Sequence, residues 1–389
     1  MNILLRGSWQ TVNVGDIAHS PAVLAILKEK FPSAKITLWA SRLNDSVRNM
    51  LSSHFPDVKI VEGTISEGKK ELLTAVDECD FLVHASAPYF VAYEDVKQFY
   101  ERTNKPFGLF GITCGPDFAF ENLEEEKNLL EKAAFIYYRD SKSLQYAKEK
   151  GICAKVMDFG CDGVFAYNFT DTIKAAQTMQ KYGLETDKFV CCIPRNRYTP
   201  YWEIKESDAY NAERDAYNKK MEETDLLPLR KAITEIVENT DLKVFICPED
   251  CSQIALGKRA LYEKLPPQIQ KRTVVKEEFW LPDEALAVYK ESCGLFGCEM
   301  HSPIMCIGNG VPAIVARWRE QTTKGYMIED IGLSNWLFNF DIEEEREKFP
   351  KVVLEMVTDA QRSREYVQSG RRNALATYDR MCDEIKKYL

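Results

Sequence analysis

No apolar stretch in these 389 residues approaches the ~20 that a membrane-crossing helix needs, so no stable membrane insertion is expected. The start, Met1-Asn-Ile-Leu-Leu-Arg6-Gly7, has neither the basic opening nor the apolar core of a secretory signal. No basic block stands out. The net charge of −9, from 51 Lys and Arg against 60 Asp and Glu, argues against nucleic acid or an anionic membrane as the main partner. No internal repeat, low-complexity tract or G-x-G-x-x-G fingerprint appears, so a dinucleotide site is unsupported. The 12 cysteines are scattered, several of them (Cys191, Cys192, Cys247, Cys293) inside apolar strand patterns. That usage suits reduced, buried thiols in a cytoplasmic protein. Cys247-Pro-Glu-Asp-Cys251 has a spacing a metal can use, but no second pair stands at zinc spacing, and neither metal nor cofactor is expected. Histidine is scarce as well, with four in the chain, so one in a reactive setting carries information.

The chain is too long for one small core, and strand and helix patterns alternate from end to end. The strand patterns are apolar on both faces, as in parallel sheets covered by helices on each side. The expectation is therefore α/β: two Rossmann-like, doubly wound domains, residues 1–168 and 169–350, and a C-terminal helix over 351–389 that crosses back to the first domain. Arg6 interrupts the first strand pattern, Ile3–Leu5, and the first helix is expected over Ile17–Lys30. Residues 195–225, rich in Arg, Tyr, Trp, Asp and Asn, read as an insertion in the second domain: a lid or acceptor-binding segment, or a solvated helical hairpin.

Open α/β domains bind ligands beyond the carboxyl ends of their strands, so chemically able residues are sought there. The richest stretch runs from Gly297 to Trp318: a Gly turn, Glu299-x-His301, then Ser302-Pro303 opening a short apolar helix that Asn309-Gly310 closes. Ser302 is expected to cap that helix and Pro303 to take its first position. His301 would then stand beside a helix N-terminus, where free N–H groups favour an anion. After the first strand comes Asn13-Val-Gly15-Asp16, a strand-to-helix turn in which Asp16 is a base or a helix cap. His84-Ala-Ser86-Ala-Pro88 and Thr113-Cys-Gly115-Pro116 are small-residue turns that bring backbone close to a ligand. Arg139 and Asp140 are expected to pair with each other, and Asp162-Gly163 to form a turn. Arg195 and Arg197 follow the first strand of the second domain, and Arg317 through Lys324 form a cationic turn after the strand that follows His301. Both suit phosphate or carboxylate. Together these segments point to a small anionic substrate in an otherwise acidic protein.

These motifs, in this order, resemble the polysaccharide pyruvyl transferases. Asn13-Val-Gly15-Asp16 is similar to the family's N-x-G-D, and Arg139-Asp140 with Ser143 and Asp162 to its R-D-x-x-S…D segment. His301 with Gly310-Val-Pro312 is similar to its R-L-H…G-x-P, and Lys324 with Gly332-Leu333 to the basic residue and Gly-Leu pair further along. The resemblance implies a GT-B-like fold with a central cleft. It also implies transfer of a pyruvyl group from phosphoenolpyruvate to a sugar of a surface or capsular polysaccharide or its precursor, forming a ketal and releasing phosphate. His301 is then the expected acid or base and Asp16 orients the glycan acceptor. Asn13, Gly15, Arg195, Arg197, Arg317 and Lys324 hold the substrates, and a homo-oligomer is compatible with the pattern. Two departures matter: the family's glycine-rich turn after the fourth strand is here His84-Ala-Ser86-Ala-Pro88, and Glu299 occupies the place of the family's Arg, two residues before His301. A carboxylate there repels phosphoenolpyruvate unless it keeps its proton or a neighbouring Arg neutralises it, and it can serve as a second acid or base. Two other readings stay open: a GT-B glycosyltransferase with another donor, and a non-catalytic carbohydrate-binding protein on the same scaffold.

Overall fold

The computed structural model describes residues 1–115 and 123–389. The expected turn at Thr113–Pro116 therefore ends, at Pro116, outside the described residues. The chain divides into two compact units. One comprises Met1–Thr11, Asp16–Tyr167 and Arg372–Leu389; the other comprises Val12–Gly15 and Asn168–Arg371.

The first unit is built on seven parallel strands: β1 (Asn2–Gly7), β2 (Lys35–Ala40), β3 (Lys59–Glu62), β4 (Phe81–His84), β5 (Phe107–Ile112), β6 (Phe135–Tyr138) and β7 (Met157–Phe159). They lie in the order β3-β2-β1-β4-β5-β6-β7. The second unit has six: β8 (Phe189–Ile193), β9 (Lys243–Ile246), β10 (Thr273–Val275), β11 (Leu295–Gly297), β12 (Ala313–Arg317) and β13 (Leu337–Asn339), in the order β10-β9-β8-β11-β12-β13. Every residue of β4, β5, β6, β8, β11 and β12 is buried, which is why their sequences read as mostly apolar runs, with His84 and Arg317 at the carboxyl ends of β4 and β12. Each large apolar side chain so buried contributes roughly 1.5–3 kcal/mol, and the two stacks of such strands form two separate cores.

Arg6 belongs to β1 after all. Its guanidinium is buried against the Trp39 ring, 4.9 Å from the centroid, and bonded to Asp95, so the charge is matched where the sequence pattern suggested a break. The first helix starts earlier than expected, at Val14, and runs to Lys30. The C-terminal region also differs from expectation. A helix Glu343–Thr358 stops at Asp359, and a second, Ala360–Lys386, follows. Pro350 lies inside the former, which blurred its periodicity in the sequence.

The Arg139–Asp140 pair expected from the sequence does not form. Asp140 caps the helix Ser141–Glu149, accepting from the Ser143 N–H and hydroxyl at 2.7 Å each. Arg139, fully buried, donates to Asp162 at 2.6 Å and to the Thr113 hydroxyl at 2.6 Å. Asp162 is thus more than a turn residue: it also lies 3.3 Å from His19 Nε2 and accepts from the Val164 N–H. A strand-end Arg buried among apolar strands needs a carboxylate from another element, and its sequence neighbour is already committed to a helix end.

Candidate functional site

In the second unit the strand order reverses between β8 and β11, the position at which doubly wound sheets leave an opening for ligand. The loops that leave the carboxyl ends of β9, β8 and β11 meet there, carrying Glu249 and Asp250, Arg195, and Glu299 and His301.

Glu299 is 3% exposed. Arg195 Nη1 donates to its Oε2 at 3.2 Å, and Gln253 Nε2 to its Oε1 at 2.6 Å. Burial drives its carboxyl up to a pKa of about 8; the Arg195 charge opposes this, and the nearby Glu249 and Asp250 charges add to it. Burial prevails, so at neutral pH the acid form predominates. Gln253 ties the loops together. Its Oε1 accepts from the Glu249 N–H at 2.7 Å, while its Nε2 also reaches Asp250 at 3.2 Å. Asp250 accepts from the Ser252 N–H and hydroxyl, and burial raises its pKa in turn.

His301 corrects the expected helix start. The helix begins at His301 itself, and Ser302 neither precedes nor caps it. The Ser302 N–H donates to Glu249 Oε2 at 2.8 Å, so the helix N-terminus already holds a protein carboxylate where the sequence suggested a substrate anion. The other Glu249 oxygen lies 3.6 Å from His301 Nδ1. A proton gained by the imidazole would therefore meet a counter-charge fixed by the helix end.

Asn13 and Gly15 join this cluster. Asn13 forms a bridge with Asp250, the Val14 N–H donates to the Glu249 carbonyl at 2.8 Å, and the Gly15 N–H donates to Asn13 Oδ1 at 2.8 Å. Gly15 has no room for a side chain, because a Cβ there would stand 2.2 Å from His301 Cβ. Asp16, half-buried, falls in the first turn of the helix Val14–Lys30; the side-chain bond to the Gly15 N–H at that helix start comes from Asn13 rather than Asp16.

The remaining cations part ways. Arg195 is at the site, bonded to Glu299 and to the Thr199 hydroxyl. Arg197 departs from the expected anion-holding role. Its guanidinium is buried and taken up by Asp225 at 2.8 and 3.0 Å, Asp341 at 2.7 Å and Glu320 at 3.2 Å. It locks its loop to the helix Ala212–Asn239, which absorbs the second half of the expected insertion. Arg317 ends β12 with its side chain buried, and Lys324, half-buried, lies in the turn beyond it. Of the Cys247–Cys251 pair, the first thiol is buried and the second exposed, so the expectation of buried thiols fails at Cys251.

Sequence reasoning missed Glu249, Asp250 and Gln253. The signal was present: Pro248-Glu249-Asp250 directly follows the end of β9, the neighbour of β8. The flanking cysteines drew attention from the acids between them.

The fold is shared with proteins of known structure. HepE from Anabaena, solved with UDP and glucose, superposes with a TM-score of 0.59 at 12% identity, over 100% of both chains. S. aureus MnaA, solved with UDP, gives 0.60 at 13% identity over 100% of this chain and 96% of that one. The UDP-GlcNAc 2-epimerase of Methanocaldococcus jannaschii gives 0.56 at 14% identity over 91% and 93%. These likenesses show the fold, which is GT-B-like. No curated protein matches the sequence. The sequence profile of the polysaccharide pyruvyl transferases, however, matches residues 13–320, from the Asn13 turn through β11 and His301 to the turn after β12. The chain belongs to the polysaccharide pyruvyl transferase family of carbohydrate-modifying transferases.

Proposed function

We propose that this protein transfers the pyruvyl group of phosphoenolpyruvate to two hydroxyls of a sugar in a polysaccharide or its precursor, with Glu299 as general acid and His301 as general base. The observation that carries the reading is Glu299 itself: a carboxyl with a pKa of about 8, two residues from a histidine that faces a carboxylate.

The chemistry needs a proton delivered to the methylene carbon of the donor. That makes the neighbouring carbon electrophilic, and a sugar hydroxyl adds there while losing its proton to a base. Phosphate then leaves, carrying away the donor's bridging oxygen and the proton held by His301, and the second hydroxyl closes the ketal, its proton returning to the Glu299 carboxylate. A carboxylic acid kept protonated at neutral pH by burial can supply the first proton, as the paired-environment logic of acid–base sites requires. His301 takes the proton of the attacking hydroxyl, and Glu249 balances the imidazolium. The neutral form of Glu299 also removes the repulsion that a carboxylate in the family's Arg position would impose on a trianionic donor. Asp16, at the start of the adjoining helix, is assigned to the acceptor sugar.

The test is turnover. Phosphoenolpyruvate and a panel of hexose glycosides are incubated with the protein, and phosphate release and pyruvyl ketal are measured by colorimetry and mass spectrometry. Ketal formation that His301→Ala abolishes supports the reading. Transfer from a UDP-sugar instead, with phosphoenolpyruvate inert, establishes the glycosyltransferase alternative; saccharide binding without turnover of either donor establishes the binding-protein one.

A further inference from the structure

Two arginines near Trp318 are buried to a similar degree, Arg197 at 4% exposure and Arg317 at 6%. Arg197 has three carboxylates around it. Among the described residues Arg317 has none within ion-pair distance. Its Nη2 donates to the backbone carbonyl of Thr322, its guanidinium lies 5.2 Å from the Tyr326 ring centroid, and its Nε has no partner. A buried guanidinium without a counter-ion is costly, and an orphaned donor on it is costly again.

The loop that holds it is also strained. Thr322 has φ of 61° with ψ of −135°, a region sparsely populated by residues with a Cβ, and its buried hydroxyl oxygen has no partner either. Gly325 is required by space: a Cβ would stand 2.2 Å from Arg317 Cδ. The turn is thus shaped around one arginine whose Nε–Nη2 edge, the edge that grips an oxyanion with two parallel bonds, is half vacant and half resting on a strained carbonyl.

We infer that Arg317, with the Thr322 hydroxyl, forms a binding subsite for a phosphate group, the Nη2 donor leaving the Thr322 carbonyl to grip the oxyanion together with Nε. This rests on the reading above in one respect: the phosphate bound is that of the donor, or the inorganic phosphate released from it. Neither Glu299 nor His301 is part of this subsite, so phosphate recognition and proton transfer are separable.

The experiment is calorimetric titration of inorganic phosphate into the full-length protein, as wild type, Arg317→Gln, Arg317→Lys, Gly325→Ala and His301→Ala, with circular dichroism melts to verify folding. Wild type binds phosphate, and Arg317→Gln weakens binding by about tenfold or more, the loss expected for a charged bidentate contact. Gly325→Ala weakens it comparably by displacing the side chain without removing its charge. Arg317→Lys falls between, because a point charge lacks the fork; it also serves if Arg317→Gln does not fold. His301→Ala binds as wild type does. A wild type that does not bind phosphate, or an affinity indifferent to Arg317 and Gly325, overturns the proposal. Pyruvate, which has a carboxylate but no phosphate, is added as competitor. Failure to displace phosphate supports the assignment; displacement overturns it. Arg317-dependent phosphate binding with no phosphoenolpyruvate turnover would sink the donor reading and leave the subsite standing. Turnover with phosphate binding indifferent to Arg317 would do the reverse.

Discussion

At the scale of the residue, Glu299 is set by a contest. Burial raises its pKa to about 8, while the Arg195 guanidinium, 3.2 Å away, holds it below where burial alone would leave it. The activity attributed to its acid form must therefore decline as pH rises through about 8. Glu299→Gln should lower kcat by about 10²–10⁴ while leaving the fold intact, measured by turnover beside thermal melts. Arg195→Ala removes the influence that favours the carboxylate, so the alkaline limb of the pH–rate profile should move to higher pH. A limb that stays in place or moves down would refute the pairing. The sign for stability is definite as well. The folded carboxyl binds its proton more tightly than the unfolded one, whose ordinary value is 4.5. This contribution is complete below about 4.5, shrinks as pH rises and is lost through about 8. Melts of Glu299→Gln across that window should show a shallower decline than wild type. Glu299, His301 and Arg195 were legible in the sequence because each lies just past a strand end. Which cation meets Glu299 was not, since Arg195 and Arg197 are two residues apart and only packing decides that the first faces Glu299 and the second Asp225.

At the scale of the element, the turn into the helix Val14–Lys30 is fitted to His301. Asn13 and Gly15 were readable as a motif, but the reason Gly15 must be glycine is contact, a Cβ there meeting His301 Cβ at 2.2 Å. Gly15→Ala should cost about 1–3 kcal/mol in chemical unfolding, as overpacking does, and depress kcat/KM by shifting the imidazole. Full activity with unchanged stability would show that the histidine's position is not held by this turn. Most strands and helices could be placed from periodicity, because buried parallel strands are apolar throughout and their covering helices are amphipathic. The misplacements have local causes. β13, at Leu337–Asn339, is too short to show a period, and the charge on Arg6 masked the carboxyl end of β1. The start of the helix at His301 was misjudged because the Ser302 N–H is served by Glu249, a residue remote in sequence.

At the scale of the whole molecule, the buried arginines Arg139 and Arg197 each find their carboxylates within their own unit. In the first unit, Arg139 and Asp162 tie β6 to the segment after β7. Arg139→Met leaves Asp162 buried without that partner and should cost about 3–5 kcal/mol, read as a lower urea midpoint. The central proposal is that a neutral Glu299 lets this member of the family accept an anionic donor. The most direct test is calorimetric titration of phosphoenolpyruvate over a pH series bracketing the Glu299 pKa of about 8, with wild type and Glu299→Gln. Wild-type binding should weaken as pH climbs through that value, and Glu299→Gln binding should not. Absence of binding by wild type at every pH, or an equal decline in Glu299→Gln, would contradict it.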